Sequence, residues 1–230
     1  MPFRTVMLNL AITAVLVLVI VLGGIMLRET RSKAVPAVRV PVAGVPGQTT
    51  PDEGGVPKVA GERFQILPSP ELVESRANEA DTLRIRYGNE EHIFVLYFAD
   101  ALETTMNHPQ LVAEQGRYFG KAADKTILEA GNEAAAYVAQ LLKDHHFNVL
   151  TKWERVPNTV RYYAIIKVQM PGGPVYLADL LIRKGYAYVH GIPTELPDDK
   201  RDLPTYAVEI RDLAIKARES KSGIWARGVK

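Results

Sequence analysis

The chain of 230 residues is long enough for one domain of ordinary size plus further segments, and 47% hydrophobic with 23% charged residues is the balance of a globular protein. It has no cysteine, which excludes disulfides, thiolate nucleophiles and thiolate metal sites. Residues 1–59 hold six of the 28 Lys/Arg and three of the 26 Asp/Glu, so the remainder is close to neutral; nucleic-acid binding, if any, must come from a local patch.

After a short tail (1–7), residues 8–27, "LNLAITAVLVLVIVLGGIML", form an uncharged run of 20 residues. That is the length that crosses a bilayer core. It exceeds the roughly 7–15 residue apolar core of a cleaved signal peptide. "MLRETRSK" follows in place of a small-residue cleavage pattern. The segment is read as an uncleaved single-pass transmembrane signal anchor in the cell membrane, with an extracytoplasmic C-terminal domain. Residues 28–60 are read as a linker, because repeated prolines and glycines leave no hydrophobic period.

A compact domain is expected over 61–230. "DTLRIRYG" (81–88) alternates, with Leu83 and Ile85 on one face and Arg84 and Arg86 on the other. "YGNEEH" turns the chain into "IFVLYFA", which makes a hairpin. That second strand is expected to run straight into Asp100 and Glu103. Residues 126–146 carry a helical stripe of Ile127, Ala134, Tyr137, Val138, Leu141 and Leu142, weakened by Gly131. "FNVLTKWERV" and "RYYAIIKVQM" read as strands, "PGGP" as a turn and "VYLADLLIRKG" as a short helix stopped by Gly185. "YAYVHG" reads as a last strand. Tyr206, Ile210, Leu213 and Ala217 mark a final amphipathic helix. Strands with segregated helices argue an α+β fold, and a five-stranded OB-fold barrel with flanking helices fits this order.

The succession "ADTLRI", "FVLYFADALET", "RYYAIIKV", "LADLLIRKGYAYV" and "EIRDLAIKARESKSGIWA", over about residues 62–227, resembles the thermonuclease (staphylococcal-nuclease-like) family. "AEQGRYFG" (113–120) is similar to a bacterial branch of it. No single motif is specific; their order and spacing carry the resemblance. It implies an OB-fold and calcium-dependent hydrolysis of phosphodiester bonds in DNA or RNA. By position, Asp81 and Asp100 resemble the carboxylate calcium ligands and the carbonyl of Ala101 a third ligand. Glu103 resembles the residue that positions or deprotonates water, and Arg161 the arginine on the phosphate. The chemistry agrees with the residue types. Hard divalent cations take oxygen ligands, a carboxylate can accept a proton from water, and a guanidinium fork matches phosphate.

The sequence also departs from that pattern. Val95 stands where the resemblance calls for a first arginine, Leu102 for a proline, Ala80 for a glycine, and Asn158 and Thr159 for a lysine and a tyrosine. Arg84, Arg86 and Arg117 are the nearby cations that could take over from the missing arginine. Two readings therefore stand: a membrane-anchored nuclease acting as a monomer, or a catalytically impaired domain that binds nucleic acid or protein. Taken singly, the acids are also what turns at strand ends carry. The paired His145 and His146 suit a helix C-terminus better than a metal. Tyr162, Tyr163, Tyr176, Tyr186 and Tyr188 suit packing better than base stacking, as do Trp153 and Trp225.

Overall fold

The computed structural model describes residues 60–197 and 201–227. The expected transmembrane anchor (8–27) and all of the linker but its last residue lie outside them. Among the described residues no helix is long and apolar enough to cross a membrane.

Among the described residues nine strands and four α-helices follow in order: β1 (Gln65–Leu67), β2 (Glu71–Leu72), β3 (Thr82–Tyr87), β4 (Glu90–Leu96), β5 (Ala99–Ala101), α1 (Pro109–Tyr118), α2 (Asp124–Asp144), β6 (Phe147–Thr151), β7 (Tyr162–Met170), β8 (Gly173–Tyr176), α3 (Leu177–Arg183), β9 (Ala187–Val189) and α4 (Leu203–Glu219). A 3₁₀ turn, Gly223–Ala226, comes last. The α+β class and the β3–β4 hairpin agree with the sequence. Leu83 and Ile85 are buried, and Arg84 and Arg86 lie on the wetter face.

The five-stranded OB-fold barrel is not what forms. One mixed sheet of seven strands runs β1-β6-β7-β4-β3-β2, with β8 also on β7, and β5 pairs β9 in a separate ladder. β4 and β7 are parallel, and the other pairs are antiparallel. The sheet stays open for two local reasons. Its edges, β1 and β2, are three and two residues long and do not pair with one another. The run "FVLYFAD" is also broken: Phe98 has φ +70° and turns β5 off the line of β4. Positive φ is strained for an aromatic residue. Burial of the Phe98 ring, edge-on to Tyr206 at 4.9 Å between centroids, offsets the strain.

The main core lies between the sheet and α2, α3 and α4. The face of α2 is Ile127, Ala130, Gly131, Ala134, Val138, Leu141 and Leu142, which is the stripe expected from the sequence except that Tyr137 is only half-buried. On α4, Asp202 caps the first turn by accepting from the Thr205 N–H at 2.8 Å, and Tyr206, Ile210 and Ala217 are buried. A smaller core of Leu102, Val112, Phe119, Ile127, Ala130, Tyr188 and Ile224 gathers α1, α2, β9 and the 3₁₀ turn beneath the segment after β5. The 3₁₀ turn reaches it by close backbone contact. A Cβ on Gly223 would meet the Lys184 carbonyl oxygen at 2.2 Å, and the Ile224 N–H donates to the Gly185 carbonyl at 3.3 Å.

Gly131 fits its helix for the same kind of reason. A Cβ there would lie 2.1 Å from the Glu103 carbonyl oxygen and 2.6 Å from that of Leu102. Helix propensity alone would favour alanine by up to about 1 kcal/mol. Overpacking costs about 1–3 kcal/mol, and here the obstacle is backbone, which cannot rotate away. With backbone oxygens at these distances the cost lies in the upper part of that range, so Gly131→Ala is expected to lower stability in urea denaturation by about 1–2 kcal/mol net; a variant as stable as the parent would show that α2 does not rest on this segment.

Candidate functional site

Five chain segments meet at an open cleft of about 750 Å³. They are the loop before β3, the end of β4, β5 with the segment after it as far as the first turn of α1, the stretch from Val156 into β7, and the turn after β9. Asp81, Asp100, Glu103 and Arg161, all singled out from the sequence, line this one cleft, together with Glu79 and Val95. Ala101 lies between Asp100 and Glu103 with its side chain buried.

Asp81 is 7% exposed and is held from both sides. One carboxylate oxygen accepts from the Ala101 N–H at 2.7 Å, the other from the Thr82 hydroxyl at 3.1 Å. Its own carbonyl accepts from the Leu96 N–H at 2.9 Å, tying the start of β3 to the end of β4. Asp100 points from β5 and accepts from the Tyr188 hydroxyl on β9 at 3.0 Å. Glu79 accepts from the Thr104 hydroxyl at 3.0 Å.

The segment carrying Ala101 and Glu103 is fixed by one residue of α1. Gln115, fully buried, donates from its amide nitrogen to the Ala101 carbonyl at 2.9 Å and accepts the Glu103 N–H on its amide oxygen at 2.9 Å. Sequence reasoning passed over Gln115, Glu79 and the contact of Tyr188. The signal for Gln115 was present: it lies on the stripe Val112, Gln115, Phe119, a polar residue on an otherwise apolar helix face. Glu79 and the Tyr188 contact carry no comparable signal.

Burial raises the proton affinity of all four acids, and neighbouring acids add to it for Glu79, Asp100 and Glu103. Burial pushes Asp81 up, against the opposing Ala101 N–H and Thr82 hydroxyl. Burial first and the charge of Asp81 second bring Asp100 up to about 7, with Glu114 and Glu79 adding and the Tyr188 hydroxyl opposing. Burial, then Glu79, Asp81 and Asp100, bring Glu103 up to about 7, with Arg161 opposing. Burial and Asp81 raise Glu79, which Thr104, Arg161 and His108 pull back. Arg161 is exposed, stands next to β7, and acts on Glu79, Asp81 and Glu103 across the cleft.

Val95 sits on β4 opposite Thr82 on one side and Tyr163 on the other, and gives the cleft no hydrogen-bond donor. None of Arg84, Arg86 and Arg117 lines the cleft. Arg86 is paired with Glu91 at 2.6 Å and Glu71 at 3.5 Å, and Arg84 lies 3.9 Å from Glu91. His108 and His190 reach the cleft. His92 is buried against Phe94, Trp153 and Tyr162, with Glu90 at 3.2 Å. His145 caps α2. Tyr162, Tyr176, Trp153 and Trp225 pack against neighbouring rings. Among the described residues no three His, Asp or Glu side chains converge as a metal-holding group.

No family model matches the chain, and no curated protein matches it.

The raised carboxyls fix the sign of a pH effect. In metal-free buffer the folded chain keeps a proton on Asp100 up to about pH 7, whereas the unfolded chain releases it near the ordinary value of 3.8. The unfolded state thus binds fewer protons across that window, so stability falls as pH rises through it. Asp100→Asn is expected to flatten the decline in melting temperature between pH 4 and pH 7. A parent profile that rises over this window, or a variant with an unchanged slope, would contradict the electrostatics described.

Proposed function

We propose that this cleft hydrolyses phosphodiester bonds in DNA or RNA with calcium, and that the chain is a member of the thermonuclease-like group, tethered to the cell membrane through residues 8–27 with its C-terminal domain outside the cytoplasm. The observation that carries the reading is the convergence of Asp81, Asp100 and Glu103 with Arg161 on one open cleft. They come from three separate stretches of the chain: Asp81 before β3, Asp100 and Glu103 on and just after β5, and Arg161 before β7.

The donors suit a hard cation. Asp81 and Asp100 offer carboxylate oxygens. The Ala101 carbonyl, although bonded to Gln115, keeps a second lone pair. Burial first and mutual repulsion second raise these acids, and a divalent cation would favour their charged forms against both. Two carboxylates and a carbonyl would leave the rest of the shell to water and substrate. Calcium held there would polarise a phosphoryl oxygen and offset charge developing on the phosphate.

The residues of the chain then have separate tasks. Arg161 binds a non-bridging phosphate oxygen through charge-assisted hydrogen bonds. Glu103, as the carboxylate, orients a water and accepts its proton as the oxygen attacks phosphorus. The bond to the departing sugar oxygen breaks, and that oxygen takes a proton from solvent. Gln115 and Tyr188 hold Glu103 and Asp100 in place. Val95 favours a second reading, a module that binds nucleic acid or protein without cleaving it, because it supplies no donor to the phosphate.

Purified full chain should cleave single-stranded DNA or RNA with calcium and stop on chelation. Glu103→Gln should lower kcat by on the order of 10²–10⁴-fold while the fold is kept. Folded protein that binds labelled single-stranded DNA yet releases no product in calcium would establish the binding module instead.

A further inference from the structure

A phosphodiester entering this cleft meets four carboxylates, Glu79, Asp81, Asp100 and Glu103, and the cations that meet it decide whether it stays. Only two of the described residues lining the cleft are arginines, Arg161 and Arg76, and none is a lysine. Arg76 lies on the loop between β2 and β3. It is exposed, and among the described residues it enters no ion pair, side-chain hydrogen bond or ring contact. Its availability contrasts with Arg84 and Arg86 of the adjacent strand, which face Glu91 and Glu71.

The loop is nevertheless fixed. The Asn78 side chain donates to the Val73 carbonyl at 2.8 Å and accepts the Arg84 N–H at 2.9 Å. The Ala77 N–H donates to the Ser75 hydroxyl at 3.2 Å, the Asn78 N–H to the Ser75 carbonyl at 3.2 Å, and the Glu79 N–H to the Thr82 carbonyl at 2.8 Å. Arg76 therefore rides on a backbone that is hydrogen-bonded immediately after it and again at Glu79. A guanidinium without a counter-ion, on a pinned loop at the edge of an acidic cleft, is placed for an anion that arrives with the substrate.

We propose that Arg76 is a second phosphate-binding residue of the cleft, acting from the β2–β3 loop together with Arg161 and supplying the donor that Val95 on β4 does not. The role rests on the phosphodiesterase reading above. It makes Arg76 a substrate-contacting residue whose effect falls on binding of the polyanion as well as on the rate.

The test uses the full chain and a fluorescein-labelled single-stranded DNA 12-mer, with calcium present. Binding to a phosphorothioate version, which resists cleavage, is followed across a salt series, and cleavage of the ordinary 12-mer gives kcat and KM. Arg76→Ala should lower kcat/KM by about ten- to hundredfold, the loss of one or two hydrogen bonds to a charged group. It should also reduce the slope of log affinity against log salt by about 0.7, one phosphate contact on a single strand. Arg76→Lys should keep the slope, and Val95→Arg in the Arg76→Ala background should restore part of the rate. Arg76→Ala with parental slope and kcat/KM, while Arg161→Ala loses both, would overturn the role of Arg76 and leave the phosphodiesterase reading standing. A parent chain that neither binds nor cleaves the 12-mer would overturn both.

Discussion

The side-chain amide of Gln115 is the contact on which the cleft depends. It bonds to backbone on both sides of Leu102, at the Ala101 carbonyl and the Glu103 N–H, and it does so from a fully buried position. A buried amide that lost either partner would leave a polar group unsatisfied at about 1–3 kcal/mol, so the arrangement is held by its alternative as much as by its own strength. Leu102, between the two bonds, is sealed into the small core of α1, α2, β9 and the 3₁₀ turn. Gly131 brings α2 against the carbonyls of Leu102 and Glu103. Three different devices thus converge on three consecutive residues: polar, apolar and steric. Where a proline would stiffen the segment covalently, here packing and one amide do so.

That rigidity has an electrostatic counterpart. Glu79, Asp81, Asp100 and Glu103 would lower their repulsion by swinging apart into water, and the hydrogen bonds from Ala101, Thr82, Thr104 and Tyr188 oppose this. The acids stay near one another and take up protons instead. Ordinary solvated carboxylates relax to their usual values, and a cleft that keeps them raised is one in which perturbed groups coincide with concavity.

The sequence made the periodic elements legible. The alternation of β3, the stripe of α2 and the stripe of α4 are each written in single residues such as Ile85, Val138 and Ile210, and each is buried as expected. It also marked Asp81, Asp100, Glu103 and Arg161, which come together although up to eighty residues separate them along the chain. What it could not convey was closure. A five-stranded barrel and an open seven-stranded sheet share the same strand patterns, and the difference lies in whether short edges such as Glu71–Leu72 meet a partner. Nor does any local rule announce that Phe98 adopts a positive φ, because an aromatic residue there is held by Tyr206, distant in sequence. Arg76 escaped notice for a related reason: nothing in "VESRANEA" distinguishes a solvated arginine from one brought to a cleft by the loop that carries it.

The docking of Gly223 against the Lys184 carbonyl bears on the order in which the molecule can be assembled. Ile224 belongs to the same small core as Leu102, more than a hundred residues earlier. A chain made from its N-terminus outward can pair β3 with β4 long before Ile224 exists, because that contact is local and the closing one is not. The platform beneath Ala101 and Glu103 is complete only after residue 224 has been synthesised and docked. The acidic pocket is thus among the last features to become native, and a partly made chain carries its acids without their finished setting.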